Sequence, residues 1–380
     1  VHGLAGGGMR RLLQLRPLRA REGARVSAPA KSPPDREQRI LEIIETARAK
    51  RPKFKDERVT MAHGAGGKAT QTLIEGLLAP AFGMEELADA AVVDEVALTT
   101  DSFVVKPLRF PGGSIGELAV NGTVNDLAMA GARPLALSLA LILEEGLDSA
   151  VLRAEVEAIA AAAEAAGVRI MAGDTKVVER GHADGMYVCT TGVGARDPRA
   201  ELSPGAVRPG DRILVSGPIG AHGTAIMLAR GELGLDADIE SDTRSLWPAV
   251  DAILGPELHC LRDATRGGVA SVLNEIARAS GVAMAVNEAA VPVDPAVAGA
   301  AELLGIDPMY VANEGVFVAF VAPEAADATL AALREVGGCE RAAAIGEVKT
   351  EPPGMVLVNT AFGGRRVMDQ LVGDPLPRIC

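Results

Sequence analysis

Aromatic residues are scarce in this chain. Phe, Trp and Tyr together make up 3% of its 380 residues, beside 48% hydrophobic and 23% charged residues. The balance is still that of a soluble globular protein, rich in Ala and Gly. Positive charge is also in deficit: 38 Lys and Arg face 50 Asp and Glu, a net charge of -12. A nucleic-acid backbone as partner is argued against, because phosphate contacts need a Lys/Arg surplus. A small anionic ligand is not excluded, since it needs only a local set of donors and often a metal ion. Long apolar runs are absent. The longest, Leu135 to Leu143, is far too short to span a bilayer, so no membrane anchorage is expected. Cysteine is rare as well. Cys189, Cys260, Cys339 and Cys380 show no CxxC spacing, which leaves neither a zinc knuckle nor a thioredoxin-type pair. A disulfide framework is not expected in a chain this long, so a reducing cytoplasm is the expected location.

What is present fits two domains of ordinary size. Residues 1–40 stand apart, with nine Arg and Lys against three Asp and Glu. They lack the apolar core of a secretory signal and read as a basic extension without a core-forming face. From residue 41 on, strand and helix signals mix. Asp94 to Val105 is strand-like, and Ser114-x-x-Glu117 is a capping box opening a helix that stops at Gly131. Leu135 to Leu143 reads as a strand, Asp148 to Ala166 as a helix, and Val168 to Ala172 and Met186 to Val193 as two further strands. The Pro- and Gly-containing segment 200–210 marks a domain boundary. A second cycle follows, with strands at 212–216, 282–286 and 315–321 and helices near 224–230 and 268–279. The expected fold class is α+β, with domains at 41–205 and 206–370 and a tail at 371–380.

Several motifs carry chemistry. The loop from His63 to Lys68, with Gly66 and Gly67, resembles a P-loop but lacks its first Gly and its Ser/Thr. It reads as a plain turn, or as a nest of backbone N–H groups for phosphate. Asp101 sits near a strand end, Asn125 and Asp126 lie on a small apolar helix, and Asp174 follows a strand in MAGDTK. Any one of these carboxylates alone is more often a cap or turn residue. Together they suit Mg²⁺ shared with nucleotide phosphates. Asp263, Thr265 and Arg266 precede a helix, at an anion site or an ordinary helix start. Lys176 and Glu314 are acid–base candidates, although on spacing alone they are a surface Lys and a loop Glu. The final residues, Asp374 to Cys380, place a thiol behind two prolines, a spacer that holds the chain extended.

Taken together, AHGAGG, TTDSFVVKP, FPGGSIGELAVNGTVNDLAMAGARPL, AGDTKVVERG, GDRILVSGPIGAHG, RDATRGG, ANEG and PRIC resemble the HypE family of hydrogenase maturation factors. That family lies in the aminoimidazole-ribotide-synthetase-like (PurM-like) ATP-binding superfamily, and the resemblance runs from about His63 to Cys380. It implies a two-domain PurM-like fold and a homodimer pairing its N-terminal sheets, with ATP and Mg²⁺ as cofactors. It implies a HypF-type carbamoyltransferase that loads Cys380, ATP-dependent dehydration of the carbamoyl group to a thiocyanate, and transfer of cyanide to a HypC–HypD complex for a [NiFe]-hydrogenase. Asp101, Asn125, Asp126 and Asp174 would serve Mg²⁺ and phosphates. Gly66, Gly67, Thr175, Asp263 and Arg266 would hold nucleotide, and Lys176 and Glu314 would take the nitrogen protons. Selenophosphate synthetase or thiamine-monophosphate kinase chemistry, or a scaffold that only presents its tail, are the other readings. The first wants a reactive Cys or Sec in the N-terminal glycine region, and no Cys precedes Cys189.

Overall fold

The computed structural model describes residues 53–84, 87–231 and 237–371. The basic extension at 1–40 and the tail bearing Cys380 lie outside the described residues. The first helices, α1 (Lys68–Leu73) and α2 (Ala79–Phe82), follow the glycine loop directly.

A five-stranded sheet comes next. Its strands are β1 (Ala91–Val93), β2 (Val96–Phe103), β5 (Ala132–Glu144), β6 (Arg169–Val178) and β7 (Met186–Arg196), in the order β1-β2-β7-β5-β6. A short hairpin, β3 (Arg109–Phe110) with β4 (Gly113–Ser114), leads into helix α3 (Ile115–Met129). β5 and β6 pair in parallel, which requires a crossover, and helix α4 (Ser149–Ala165) supplies it. Asp148 caps α4 by accepting the Ala150 N–H at 2.8 Å. Every residue of α3 except Glu117 and Asp126 is buried. The helix packs on β2, β5 and β7, against α4, and also against elements of the second sheet. A helix enclosed on all sides needs small residues for close approach, and this accounts for its Gly and Ala content.

Two expectations fail locally. The Ser114 side chain makes no cap bond; its hydroxyl is buried without a hydrogen-bond partner among the described residues. The capping box is therefore not formed. The strand expected to end at Ala172 continues to Val178, because β5 pairs with it as far as Glu144. Asp174 and Lys176 thus lie within a strand, not on a turn beyond it.

The second sheet holds seven strands: β8 (Arg212–Val215), β9 (Leu258–Asp263), β10 (Ala283–Asn287), β11 (Phe317–Val321), β12 (Ala343–Lys349), β13 (Val356–Asn359) and β14 (Arg365–Met368). Their order is β14-β13-β10-β12-β8-β11-β9. Its helices are α5 (Ala221–Ala229), α6 (Trp247–Ile253), α7 (Gly268–Ser280), α8 (Pro295–Leu304) and α9 (Ala326–Arg334). Strand alternation sorts the core into two layers. Ile213, Val215, Val318 and Phe320 join Leu273 and Ile276 of α7. Leu214, Phe317, Ala319 and Val321 face Val250 of α6 and Leu333 of α9. The α+β architecture expected from the sequence is the one observed.

β14 returns the chain to the glycine loop. Lys68 pairs with Asp369 at 2.8 Å, and the Lys68 N–H donates to the Leu371 carbonyl at 3.1 Å. The Tyr310 hydroxyl donates to the Asp369 carbonyl at 2.9 Å, and Asn274 Nδ2 donates to the Met368 carbonyl at 3.0 Å. The root of the C-terminal tail is therefore held beside residues 66–68.

Candidate active site

The carboxylates converge where the two sheets meet. Asp126 projects from α3, Asp263 ends β9, and Asp89 precedes β1. One oxygen from each lies within 4.8 Å of the other two. Thr99 of β2 donates to Asp126 Oδ2 at 2.7 Å. Arg262 balances Asp89 from outside the cluster at 2.9 Å and also pairs with Glu275 at 3.2 Å. Asp101 sits close enough to act electrostatically on Asp89, Asp126, Asp263 and Glu314.

This proximity perturbs every member. Burial, reinforced by like charges, holds the Asp126 and Asp263 carboxyls well above the usual carboxylate range. Burial lifts Asp89 to about 6 despite the opposing Arg262 charge. Asp101 is raised by burial, with Arg266 opposing. Glu314, 4% exposed, is raised well above its ordinary value by burial, then by Asp263, Asp101 and Asp242. A cluster this acidic takes up protons or a cation. Three carboxylates from three separate elements are the hard oxygen donors that Mg²⁺ prefers, so the residues fit that ion.

The glycine loop closes on the same place. Gly66 has φ +77°, and a Cβ there would lie 2.6 Å from the Arg266 carbonyl oxygen. Only Gly tolerates both that conformation and that approach. Arg266 Nη1 donates to the Gly64 carbonyl at 3.0 Å, and the Ser271 hydroxyl to that of Gly66 at 3.0 Å. Gly66, Gly67, Asp263 and Arg266 are thereby gathered beside the carboxylates. Asn125 is buried among them, with its amide engaged. Its Nδ2 donates to the carbonyls of Arg244 (3.0 Å) and Glu314 (3.2 Å), and its Oδ1 accepts the Leu246 N–H at 2.7 Å.

Asp174, Thr175 and Lys176 are not brought to the cluster within one chain. Asp101 pairs with Thr190, Thr190 with Leu139, and Leu139 with Gly173. Three inter-strand spacings separate β2 from β6, roughly 14 Å. Asp174 and Lys176 register with Ala140 and Ile142, which register with Cys189 and Tyr187. Cys189 is in turn opposite Ser102. Those residues lie on the face of the sheet away from α3, whereas Asp101 lies on the α3 face. Lys176 pairs with Asp174 at 2.5 Å, both well exposed. Cys380 lies outside the described residues. Sequence reasoning missed Asp89 and Asp242, the latter a buried carboxylate whose Oδ1 accepts the Glu314 N–H at 3.0 Å.

Comparison with known proteins gives the family and the fold. The family of AIR synthase related protein, N-terminal domain, matches residues 87–195, and the corresponding C-terminal domain family matches residues 208–358. A carbamoyl dehydratase HypE of Rhodobacter capsulatus is 51% identical over 338 residues, covering 86% of this chain and 99% of that protein. The chain belongs to the HypE family. Two solved HypE structures share its fold. One is a HypE–HypF complex, with TM-score 0.76, 44% identity, and coverage of 79% of this chain and 99% of that one. The other is a HypE in complex with ATP, with TM-score 0.73, 43% identity, and coverage of 85% and 100%. Among the described residues, no helix is long and apolar enough to cross a membrane.

Proposed function

We propose that this protein uses ATP to dehydrate an S-carbamoyl group on Cys380 to a thiocyanate, the source of a cyanide ligand for the iron of a [NiFe]-hydrogenase. The observation that carries the reading is the group formed by Asp89, Asp126, Asp263, Asp101 and Glu314 beside the Gly66–Arg266 contact, in a chain of the HypE family. The carbamoyl oxygen attacks the γ-phosphorus of ATP, and ADP leaves. The C–O bond then breaks, phosphate departs with that oxygen, and the nitrogen gives up two protons as the C≡N bond forms. Water in balance leaves as part of phosphate. An amide oxygen is a poor leaving group and a phosphate a good one, which is why ATP is consumed.

The parts divide by position. Asp89, Asp126 and Asp263, with Asp101, would hold Mg²⁺, which when bound neutralises phosphate charge. The loop at Gly66 and Gly67, with Arg266 and Asn125 nearby, borders the nucleotide. Glu314 is buried, and burial, then Asp263, Asp101 and Asp242, hold its carboxyl well above the ordinary value; that makes its carboxylate a stronger base, and it takes one nitrogen proton. The tail root at Asp369 to Leu371 is tied to Lys68, beside the glycine loop of this site.

Asp174, Thr175 and Lys176 belong to the same proposal through a homodimer. The outer face of the first sheet is open, with Leu98 48% and Val193 36% exposed. Leu98 and Val193 are opposite each other, and Thr100, Thr191, Ser102 and Cys189 continue the same face along the two strands. A second copy laid on this face buries it and carries Asp174 and Lys176 toward the neighbouring subunit, where Lys176 takes the other proton. The division into domains at 41–205 and 206–370, a HypF-type loading partner, a HypC–HypD acceptor and a cytoplasmic location complete the reading. The test is intact mass spectrometry of the carbamoylated protein before and after MgATP. Loss of one water, about 18 Da, from the C-terminal peptide is expected. An unchanged mass with ATP consumed would refute it.

A further inference from the structure

A loop of the second half, residues 239–246, runs as a strap between the two halves of the site. Ile239 is anchored in a small cluster with Ala225, Val297 and Ala300. The Ser241 N–H donates to the Pro111 carbonyl at 2.8 Å, and the Ser241 hydroxyl meets His222 Nδ1 at 2.8 Å. Arg244 donates to the Gly315 carbonyl through Nε (3.0 Å) and Nη2 (2.9 Å), and to the Gly337 carbonyl through Nη1 (3.0 Å). Leu246 ends the strap on Asn125 Oδ1. Both halves of the chain thus fix its course.

At its centre lies Asp242. Its Oδ1 accepts the Glu314 N–H at 3.0 Å. Its Oδ2 is buried and has no hydrogen-bond partner among the described residues. From the other side, Asn125 Nδ2 donates to the Glu314 carbonyl at 3.2 Å. The peptide bearing Glu314 is therefore gripped at its N–H and at its C=O by side chains from two separate elements. Gly315 makes the grip possible: a Cβ there would stand 1.8 Å from the Asp242 carbonyl oxygen. A buried carboxylate with an unsatisfied oxygen costs stability. Such a cost is tolerated where the group serves the chemistry.

We propose that Asp242 is a positioning residue that fixes the Glu314 carboxyl against the acidic cluster, so that Glu314 meets the carbamoyl nitrogen in a reactive geometry. This rests on Glu314 being the proton acceptor. Asp242 touches neither nucleotide nor thiol in this role. Its removal lets the Glu314 peptide drift while the phosphate-side residues stay in place. Misplacing a reacting group by about an ångström costs on the order of 100-fold in rate.

The test uses the full-length protein, carbamoylated on Cys380, in single turnover with MgATP, with thiocyanate read by intact mass. Asp242→Ala is expected to slow dehydration roughly 10- to 100-fold while the ATP concentration for half-maximal rate moves less than about twofold. Asp242→Asn keeps an acceptor for the Glu314 N–H and is expected to restore the rate to within about threefold of the parent. In a Glu314→Gln background, Asp242→Ala is expected to add no further loss. A parent rate in Asp242→Ala overturns the proposal. So does equal damage in the Ala and Asn variants, or a loss that appears in ATP affinity instead of rate. Full activity in Glu314→Gln overturns the assignment of Glu314 and with it this proposal. A slow Glu314→Gln beside a fully active Asp242→Ala refutes the role of Asp242 alone.

Discussion

Replacing Asp126 by Asn tests the acidic cluster through stability and chemistry together, with opposite signs. At an effective dielectric of about 20, two unit charges within 4.8 Å of each other repel by at least about 3.5 kcal/mol. Asp126 has two such neighbours, Asp89 and Asp263. Proton uptake relieves part of that repulsion, so the net gain expected from Asp126→Asn in ion-free buffer at pH 7 is smaller, about 1–3 kcal/mol. The amide oxygen still accepts the Thr99 hydroxyl, and no core volume is lost. The pH dependence has a fixed sign. A carboxyl whose pKa is raised in the fold binds a proton that the unfolded chain has released. The stability it contributes is full below about pH 4 and lost as pH climbs through the folded value. For Asp89 the interval from 3.8 to about 6 corresponds to about 3 kcal/mol. Urea unfolding in EDTA from pH 4 to pH 7 should therefore show the parent losing stability as pH rises, and the Asn variant losing less. Mg²⁺ should restore the parent and do little for the variant, which should also turn over ATP far more slowly. An Asn variant less stable than the parent in EDTA, or equally stabilised by Mg²⁺, would refute the reasoning.

Other perturbations address other parts. Cys380→Ala should bind ATP and accept no carbamoyl group by mass spectrometry. Cys189 should not substitute, being half-buried and in contact with the Ser102 hydroxyl at 2.8 Å, and Cys260 and Cys339 are buried outright; carbamoylation of any of the three would contradict this. Gly315→Ala should lower stability by about 3 kcal/mol or more in urea unfolding, because the added methyl collides with the Asp242 backbone; an unchanged midpoint would show that the strap gives way cheaply. Leu98→Asp should yield monomers in size-exclusion chromatography with light scattering, with thiocyanate formation lost as well; an active monomer would remove Lys176 from the chemistry.

Much of this was legible in the sequence because of local contrast. Asp126 is a charge on a helix of small apolar residues, and such a charge needs partners. Asp101 lies two residues inside the end of β2, Asp263 was legible in the polar run before a helix, and Glu314 stands three residues ahead of the apolar β11. Asp89 had no such contrast. It lies among alanines in an acidic stretch, and its role depends on Arg262 of the second sheet reaching it across 173 positions. Asp242 was hidden for a similar reason, since a loop Asp carries no periodicity and its importance comes from Gly315 passing close by. Asp174 and Lys176 were misplaced by one choice. A Gly-Asp-Thr run imitates a turn, whereas pairing with β5 extends the strand through it. Parity along that strand then decides the face each side chain takes.

The clamp at Asp369 to Leu371 sets a concentration. Cys380 lies nine residues beyond Leu371, a span of at most roughly 30 Å even when fully drawn out. A thiol confined to a sphere of that radius is present at an effective concentration on the order of 10 mM around its anchor. The anchor lies against the loop that precedes α1. On the proposed function, the carbamoyl group carried by this thiol reaches the site without diffusing from solution, and its capture does not depend on how much protein the cell contains. The same tether imposes a counterpart on delivery: an acceptor of cyanide must bind the tail well enough to compete with a local site that meets it at millimolar strength.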